Sequence, residues 1–473
     1  MSFCLSVSVK DLFSLTDCSV LKDHKDIIEL LSDGNVEDTA KAFLFLKKIT
    51  KAKIILTLRP VFLGGSFVGN EEKRCQVIFE LLSLFSPDYL DLESFLPRNF
   101  IFSIKRFYPH VEIILSYHNF SWKPVNLQSF FSSIRNDFVS YYKIASVVKS
   151  FEELLLFINF LKKSDNLIMV ILGKKWSWTR ILLPFLGSCW SYCALDGKER
   201  FGQLSLDSLM KEYKINRNFC CIPNVYALLG DFKGVSRSPG HIFHNEYFFN
   251  SLNNSLYLKI PIDKDELGSF VSFSKKFNFF KGFSVTSPLK KDIVLYLDKL
   301  NLEALEIGAV NTIKISKKKK WIGYNTDGIG VFDYLQDIYG DLTFKTVAIL
   351  GSGGSAFSIL YEGLKRCLKV FVFARNEKER KVIEKRFSFV NTSGLNNFSA
   401  NNFDIIINTM PPDVDMEFVQ PTSKNIVFDI SKSNFYLTPL IKKALKKNSK
   451  IAYGYGMFIY QAIYQHKLWN NIF

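Results

Sequence analysis

The segment YYKIASVVKSFEELLLFINFLKKSDNLIMVILG, residues 141–173, decides how the first half of the chain folds. It opens on YYKIAS (141–146) and closes on LIMVILG (167–173), two short apolar runs that read as strands. Between them SFEELLLFINFLKK is amphipathic at helical spacing. Lys143 stands inside the first strand, where a lysine is almost never buried without a partner. One reading is an edge strand with the lysine in water. The other is a lysine buried so that its amine becomes neutral and nucleophilic.

The same alternation runs outward from this unit. SFCLSVSV (2–9), DIIELL (26–31), KIILTL (53–58), YLDLES (89–94), EIILSY (112–117) and WSYCAL (190–195) read as further strands. VEDTAKAFLFLKKI and EEKRCQVIFELLSLF read as helices between them. Eight strands alternating with helices predict an α/β fold, a (β/α)8 barrel. Barrels carry their sites at the C-terminal strand ends. The polar residues there are Glu29, Arg59, Glu93, His118 and Lys143, with Arg180 after the seventh strand and Gln203 after the eighth. As a set they make chemical sense. Lys143 suits a Schiff base with a ketone, His118 moves protons, Glu93 orients the histidine, and the arginines hold a carboxylate.

TLRPVFLGG (57–65), DYLDLE (88–93), LSYHNF (115–120), YYKIAS, SWTRILLP (177–184) and GQ (202–203) together resemble the type I 3-dehydroquinate dehydratases, in order and spacing, over about the first 215 residues. The resemblance implies that Lys143 forms an imine with 3-dehydroquinate, that His118 is the general acid/base, and that Glu29, Arg59, Arg180 and Gln203 bind substrate. It therefore favours the buried, reactive lysine. Two departures stand out. Leu31 occupies a position where the family usually has arginine, and KERFGQ puts Glu199 near a family serine, with Arg200 beside it as a replacement charge.

After LSLDSLMKEYKI, the segment NRNFCCIPNVYALLGDF reads as a linker entering a new strand. Further on, TVAILGSGGSAFSILYEGLK (346–365) runs from strand through a glycine-rich turn into a helix. Such a turn lets backbone approach a pyrophosphate at a helix N-terminus. The next strand, KVFVFARN, ends in Arg375 and Asn376 rather than an acid, which suits the 2′-phosphate of NADP. Before the turn lie SRSP (236–239), GFSVTSPLKKD (282–292), GAVNT (308–312) and GYNTDGIG (323–330), rich in hydroxyls and amides.

With GYGMFIYQAIYQHKLW (454–469), these segments resemble shikimate dehydrogenase along the rest of the chain. The resemblance implies Lys290 and Asp327 as a catalytic pair, with Ser236, Ser238, Ser284, Thr286, Asn311 and Gln461 as substrate-binding groups. It implies NADP(H) held by Gly351, Ser352, Gly353, Gly354, Ser355, Ala356, Arg375, Asn376, Ile430 and Gly454. Phe232, Val235, Ala374 and Lys432 depart from the family pattern. The expected organisation is a dehydratase barrel over 1–215 and a substrate-binding domain over 222–325. A Rossmann domain follows over 326–453, and a final helix over 454–473 returns to the substrate domain.

Composition agrees. At 473 residues, 48% hydrophobic and 22% charged, the chain is long enough for two or three ordinary cores. No apolar run approaches the about 18 residues of a membrane span, and the start lacks a signal peptide's basic segment. The eight cysteines form no CxxC pair and no zinc-spaced cluster, so reduced thiols, a cytoplasmic setting and no metal are expected. The net charge of +16 fits carboxylate substrates and a phosphorylated cofactor. No nucleic-acid motif accompanies it, and the densest run, SKKKK (316–320), reads as a solvated hairpin turn.

The expected function is a fusion of two consecutive steps, from 3-dehydroquinate through 3-dehydroshikimate to shikimate. Two alternatives stand beside it. Quinate-repressor proteins resemble the same domains and act as metabolite-sensing regulators, and a one-sided pseudoenzyme belongs to the same reading; against both, Lys143, His118, Lys290 and Asp327 are all present. Quinate oxidation in the second half is the other, since Ser284 and its neighbours could admit an extra hydroxyl.

Overall fold

A computed structural model of the chain describes residues 2–121, 126–216, 219–411, 414–431 and 437–471. The chain divides into two compact units. The first takes Met1–Asn224, Pro239–Pro261 and Ser269–Lys276; the second takes Val225–Ser238, Ile262–Gly268 and Phe277–Phe473.

Eight parallel strands build the first unit: Phe3–Ser8 (β1), Ile27–Leu31 (β2), Lys53–Thr57 (β3), Tyr89–Glu93 (β4), Glu112–Asn119 (β5), Tyr141–Val147 (β6), Leu167–Leu172 (β7) and Ser191–Ala194 (β8). Their order is β7-β6-β5-β4-β3-β2-β1-β8, so the sheet curls into a nearly closed barrel. Among the described residues no ladder joins β7 to β8, although the Cys189 amide reaches the Leu167 carbonyl at 3.0 Å. Ile27, Ile55, Tyr89, Ile114, Ile168 and Tyr192 belong to the buried cluster that fills the barrel.

The helices between strands form where the sequence caps them. In Val36–Ile49 the Asn35 side chain accepts from the Asp38 amide, Glu37 and Asp38 sit in the first turn, and Lys47 and Lys48 sit in the last. Those charges complement the helix dipole. Thr39, Ala42, Phe43 and Leu46 form its buried stripe. After the eighth strand, a short helical turn ends in a π-helix, Ser208–Glu212.

The first unit also holds the helix Gly240–Asn250 and part of the helix Leu267–Ser274. His241 Nε2 lies 2.8 Å from Glu212, Lys214 pairs with Glu246 at 2.6 Å, and Ser269 donates to Glu152 at 2.6 Å. The rings of Phe270 and Phe273 meet Phe151 at 5.3 and 5.4 Å.

In the second unit, Asn224–Gly230 lies beside Phe280–Val285, which is followed in the sheet by Thr312–Ile315, Trp321–Tyr324 and Lys299–Leu300. The SKKKK run is an exposed hairpin turn between the third and fourth of these. A separate sheet is parallel throughout, in the order Asn391–Ser393, Lys369–Phe373, Thr346–Leu350, Ile405–Asn408, Ile426–Asp429, Lys450–Tyr453. That is a Rossmann-type arrangement, with Val347, Ile349, Ile407 and Phe428 in its core. The final helix, Gly454–Asn470, packs along Asp327–Tyr339 and returns to the first of these sheets, where Trp469 Nε1 donates to the Ile313 carbonyl at 3.0 Å. No helix among the described residues is long and apolar enough to cross a membrane.

Candidate active sites

At the C-terminal end of the barrel strands lies a cavity of about 100 Å³, open to solvent and lined by Glu29, Arg59, His118, Lys143, Arg180 and Gln203 among others. Of the seven barrel residues expected to meet, only Glu93 is not on its wall. Lys143 is 3% exposed, so it is not on a solvated edge. Its partner is Asp91, whose Oδ2 accepts from Lys143 Nζ at 2.6 Å and from Arg59 Nη2 at 2.9 Å. Glu29 Oε1 stands 3.6 Å from both cations, and is held by Thr57 at 3.0 Å while Ser6 donates to Oε2 at 2.6 Å. Lys143 Nζ also lies 4.3 Å from the centroid of the Tyr192 ring.

The electrostatics follow from this packing. Burial alone would raise the Asp91 carboxyl, but Lys143 and then Arg59 hold it far below the usual range. His118 is pushed well below an ordinary imidazole, first by burial and then by the Arg59 and Lys143 charges, with Asp91 opposing. It is therefore a neutral ring at pH 7, and among the described residues its buried Nδ1 has no hydrogen-bond partner. Arg180 is buried and lowered to about 10 by desolvation. Its Nη2 donates to the Phe201 carbonyl at 3.2 Å, and its Nε is unpaired among the described residues, which leaves it capacity for an incoming anion. Gln203 Nε2 reaches Ser6 at 3.5 Å. Leu31 and Arg200 both line the cavity, so the position without arginine and the neighbouring cation face the same space.

Glu93 has a different partner from the one expected. It bonds Arg74 Nη1, with Arg59 Nε at 3.8 Å, and no contact joins it to His118 among the described residues. Arg74 belongs to the helix Glu71–Leu84, is fully buried, and also donates to the Leu58 carbonyl at 2.9 Å and to Glu71 at 2.6 Å. A buried arginine needs such partners, so Glu93 is engaged by Arg74 and not by His118. Asp91 and Arg74 are the functional residues that sequence reading missed. Asp91 had a signal: Tyr89, Asp91 and Glu93 alternate along β4 and share one face. Arg74 had one too, since it occupies the same helical stripe as Val77, Ile78 and Leu81.

The second unit gathers the other predicted set. Lys290 Nζ donates to Asp327 Oδ2 at 2.5 Å and to Ser355 Oγ at 3.1 Å. Asn311 Nδ2 donates to Asp327 Oδ1 at 2.7 Å, and Gln461 Oε1 lies 3.3 Å from the same nitrogen. Burial would raise the Asp327 carboxyl, but Lys290, with hydrogen bonds from Lys290, Asn311 and Ser355, holds it below its ordinary value. Ser284 is buried and donates to Gln465 Oε1 at 3.0 Å; Gln465 in turn donates to Thr312 at 3.0 Å. Gln465, one helical turn beyond Gln461, was not picked out from sequence. Thr286 is half-buried, with its amide on the Leu229 carbonyl at 2.9 Å. Ser236 is exposed on the helix Phe232–Arg237, and Ser238 caps that helix's C-terminus.

The glycine-rich turn has the form of a dinucleotide cradle. Gly351 has φ of +119°, and a side chain there would meet Thr409 Oγ1 at 2.4 Å. Gly353 is the N-cap of the helix Gly354–Lys365 and supplies no side-chain cap, so the first amides of Gly354, Ser355 and Ala356 are open to an anion. A side chain at Gly454 would meet the Ile430 carbonyl at 2.4 Å, so chain and turn stay close there. Arg375 is exposed at the end of Lys369–Phe373. Asn376 caps the helix Glu377–Arg386 by accepting from the Lys378 amide at 2.9 Å. Lys432 lies outside the described residues. Among the described residues, no group of His, Cys, Asp and Glu is arranged to hold a metal.

Residues 3–219 match the family model of type I 3-dehydroquinase, and residues 228–313 match that of the shikimate dehydrogenase substrate binding domain. Shikimate biosynthesis protein AroDE of Chlamydia muridarum is 31% identical over 398 residues, spanning 82% of this chain and 79% of its own. Shikimate dehydrogenase (NADP(+)) of Methanococcus maripaludis is 35% identical over 253 residues, 50% of this chain and 89% of its own. A solved structure of dehydroquinate dehydratase and shikimate dehydrogenase from S. pombe AroM aligns over 99% of this chain and 96% of that one, at 19% identity and a TM-score of 0.44.

Proposed function

We infer the chemistry of both sites from one premise: the chain belongs to the family of shikimate biosynthesis proteins AroDE. It is a bifunctional shikimate-pathway enzyme, a dehydroquinate dehydratase followed by a shikimate dehydrogenase. In our reading the dehydratase occupies residues 1–215 and the dehydrogenase the remainder.

In the dehydratase, Lys143 attacks the ketone of 3-dehydroquinate and forms a protonated imine, with loss of water. The buried Lys143, on the cavity wall and 2.6 Å from Asp91 behind it, carries this reading. Asp91 and Glu29 place the amine and afterwards balance the iminium charge, which acts as an electron sink for the neighbouring carbon. His118, kept neutral, takes the proton from that carbon and returns one to the departing hydroxyl. Hydrolysis of the imine releases 3-dehydroshikimate and restores Lys143. Arg180 offers its open guanidinium edge to the substrate carboxylate.

In the dehydrogenase, bound NADPH supplies the hydride that reduces the 3-keto group of 3-dehydroshikimate. Lys290 stabilises the oxygen that gains charge and passes it a proton, and Asp327 holds the lysine in place at 2.5 Å. Asn311 and Gln461 hold the substrate hydroxyls. The turn at 351–354 and the bare helix N-terminus receive the pyrophosphate, and Arg375 receives the 2′-phosphate.

Incubation with 3-dehydroquinate and NADPH tests both halves. Shikimate should accumulate as NADPH is consumed. Lys290→Ala should stop the sequence at 3-dehydroshikimate, with dehydrogenase turnover down on the order of a hundredfold or more. Normal reduction by that variant would refute the role given to Lys290.

A further inference from the structure

The hydroxyl of Ser352, inside the glycine-rich turn, donates to the carboxylate of Glu379. Glu379 comes from the first turn of Glu377–Arg386, the helix that follows the strand ending before Arg375. The contact therefore spans the gap between the turn after the first parallel strand and the end of the second. In a dinucleotide-binding fold that gap receives the adenosine ribose, whose 2′ position decides between the two nicotinamide cofactors. Two opposite charges border it. Arg375 is exposed and makes no ion pair among the described residues. The next arginine along, Arg380, is committed to the Ala374 carbonyl at 3.0 Å.

We propose that Glu379 sets the enzyme's discrimination between phosphorylated and unphosphorylated dinucleotides, opposing Arg375. This rests on the dehydrogenase reading above. A ribose 2′-hydroxyl is a donor, and it replaces the Ser352 hydroxyl on Glu379 without loss. A 2′-phosphate has no donor to offer and brings negative charge against the carboxylate, so part of what Arg375 contributes is offset. The released Ser352 hydroxyl then turns to the pyrophosphate in either case.

Steady-state kinetics with NADPH and NADH at saturating 3-dehydroshikimate, together with fluorescence titration of each dinucleotide, test the proposal. Glu379→Gln should raise the NADPH-to-NADH ratio of kcat/KM by about tenfold, mainly through a lower KM for NADPH. Glu379→Lys should raise it further. Both substitutions lie on a half-exposed helix start, and retained turnover with NADPH reports that the Rossmann sheet is folded. If native protein reduces 3-dehydroshikimate with NADPH and neither variant moves the ratio, Glu379 has no part in discrimination. If native protein turns over with neither dinucleotide, the dehydrogenase reading beneath the proposal falls as well.

Discussion

Lys143→Ala should abolish dehydration of 3-dehydroquinate while 3-dehydroshikimate is still reduced at the native rate. Borohydride added with 3-dehydroquinate should leave a covalent adduct on Lys143 and none on the variant, read by peptide mass spectrometry. The acid side of the dehydratase profile should belong to His118. Because burial and two cations lower its proton affinity, the ring stays neutral and able to accept a proton well below the ordinary imidazole value of 6.5. Dehydratase kcat/KM should thus hold flat through pH 6 and fall only at lower pH; a midpoint near 6.5 would contradict this environment. Lys143 was legible in the sequence because a lone cation inside an apolar strand is anomalous. Asp91 was not singled out, since an acid within the alternating YLDLE reads equally well as a solvated strand residue until a facing strand supplies the cation.

At the scale of elements, the helix Glu71–Leu84 does more than cover the barrel. It sends Arg74 inward to pair with Glu93, a carboxyl that burial, with nearby Asp91, still raises above its ordinary value against the pull of Arg74 and Arg59. Arg74→Met keeps the volume and removes the charge, leaving Glu93 buried without its main partner. A loss of about 3–5 kcal/mol is expected, seen as an earlier urea midpoint at unchanged slope. Adding Glu93→Gln to that variant should recover part of it. The strands and most helices were readable from periodicity, since apolar runs and caps are local. The Arg74–Glu93 pair was not, because it joins a helix to a strand through a contact that no local pattern encodes. The same holds for Gln465 and Ser284, separated by most of the dehydrogenase sequence but 3.0 Å apart.

For the whole molecule, the first unit is held partly by charged contacts between the end of the barrel sequence and the helix Gly240–Asn250. Glu212 is lowered to about 2, first by its hydrogen bond with His241, with burial opposing and Ser208 assisting. A carboxyl lowered by folding contributes stability above its unfolded value of about 4.3 and loses it as pH falls toward 2. Acid unfolding of the native protein should therefore steepen in that window, and His241→Ala should flatten it, as followed by tryptophan fluorescence. Composition and motif order made two catalytic halves legible. They could not indicate that segments beyond the apparent linker belong to the barrel's unit, because that follows from packing.

The chain passes between its two units at 224–225, 238–239, 261–262, 268–269 and 276–277. No single cut in the polypeptide separates them. A gene fission near residue 220 would give a first product without the helix Gly240–Asn250 and without Phe270 and Phe273, which cover Phe151. Phe151 is fully buried in the intact protein, and such a product would present it to water. Expressed alone, that fragment should aggregate; expressed beside the remainder of the chain, it should become soluble. Lineages that inherit this architecture would then be held to the fused gene by the solubility of its first half, independently of any advantage in coupling the two reactions.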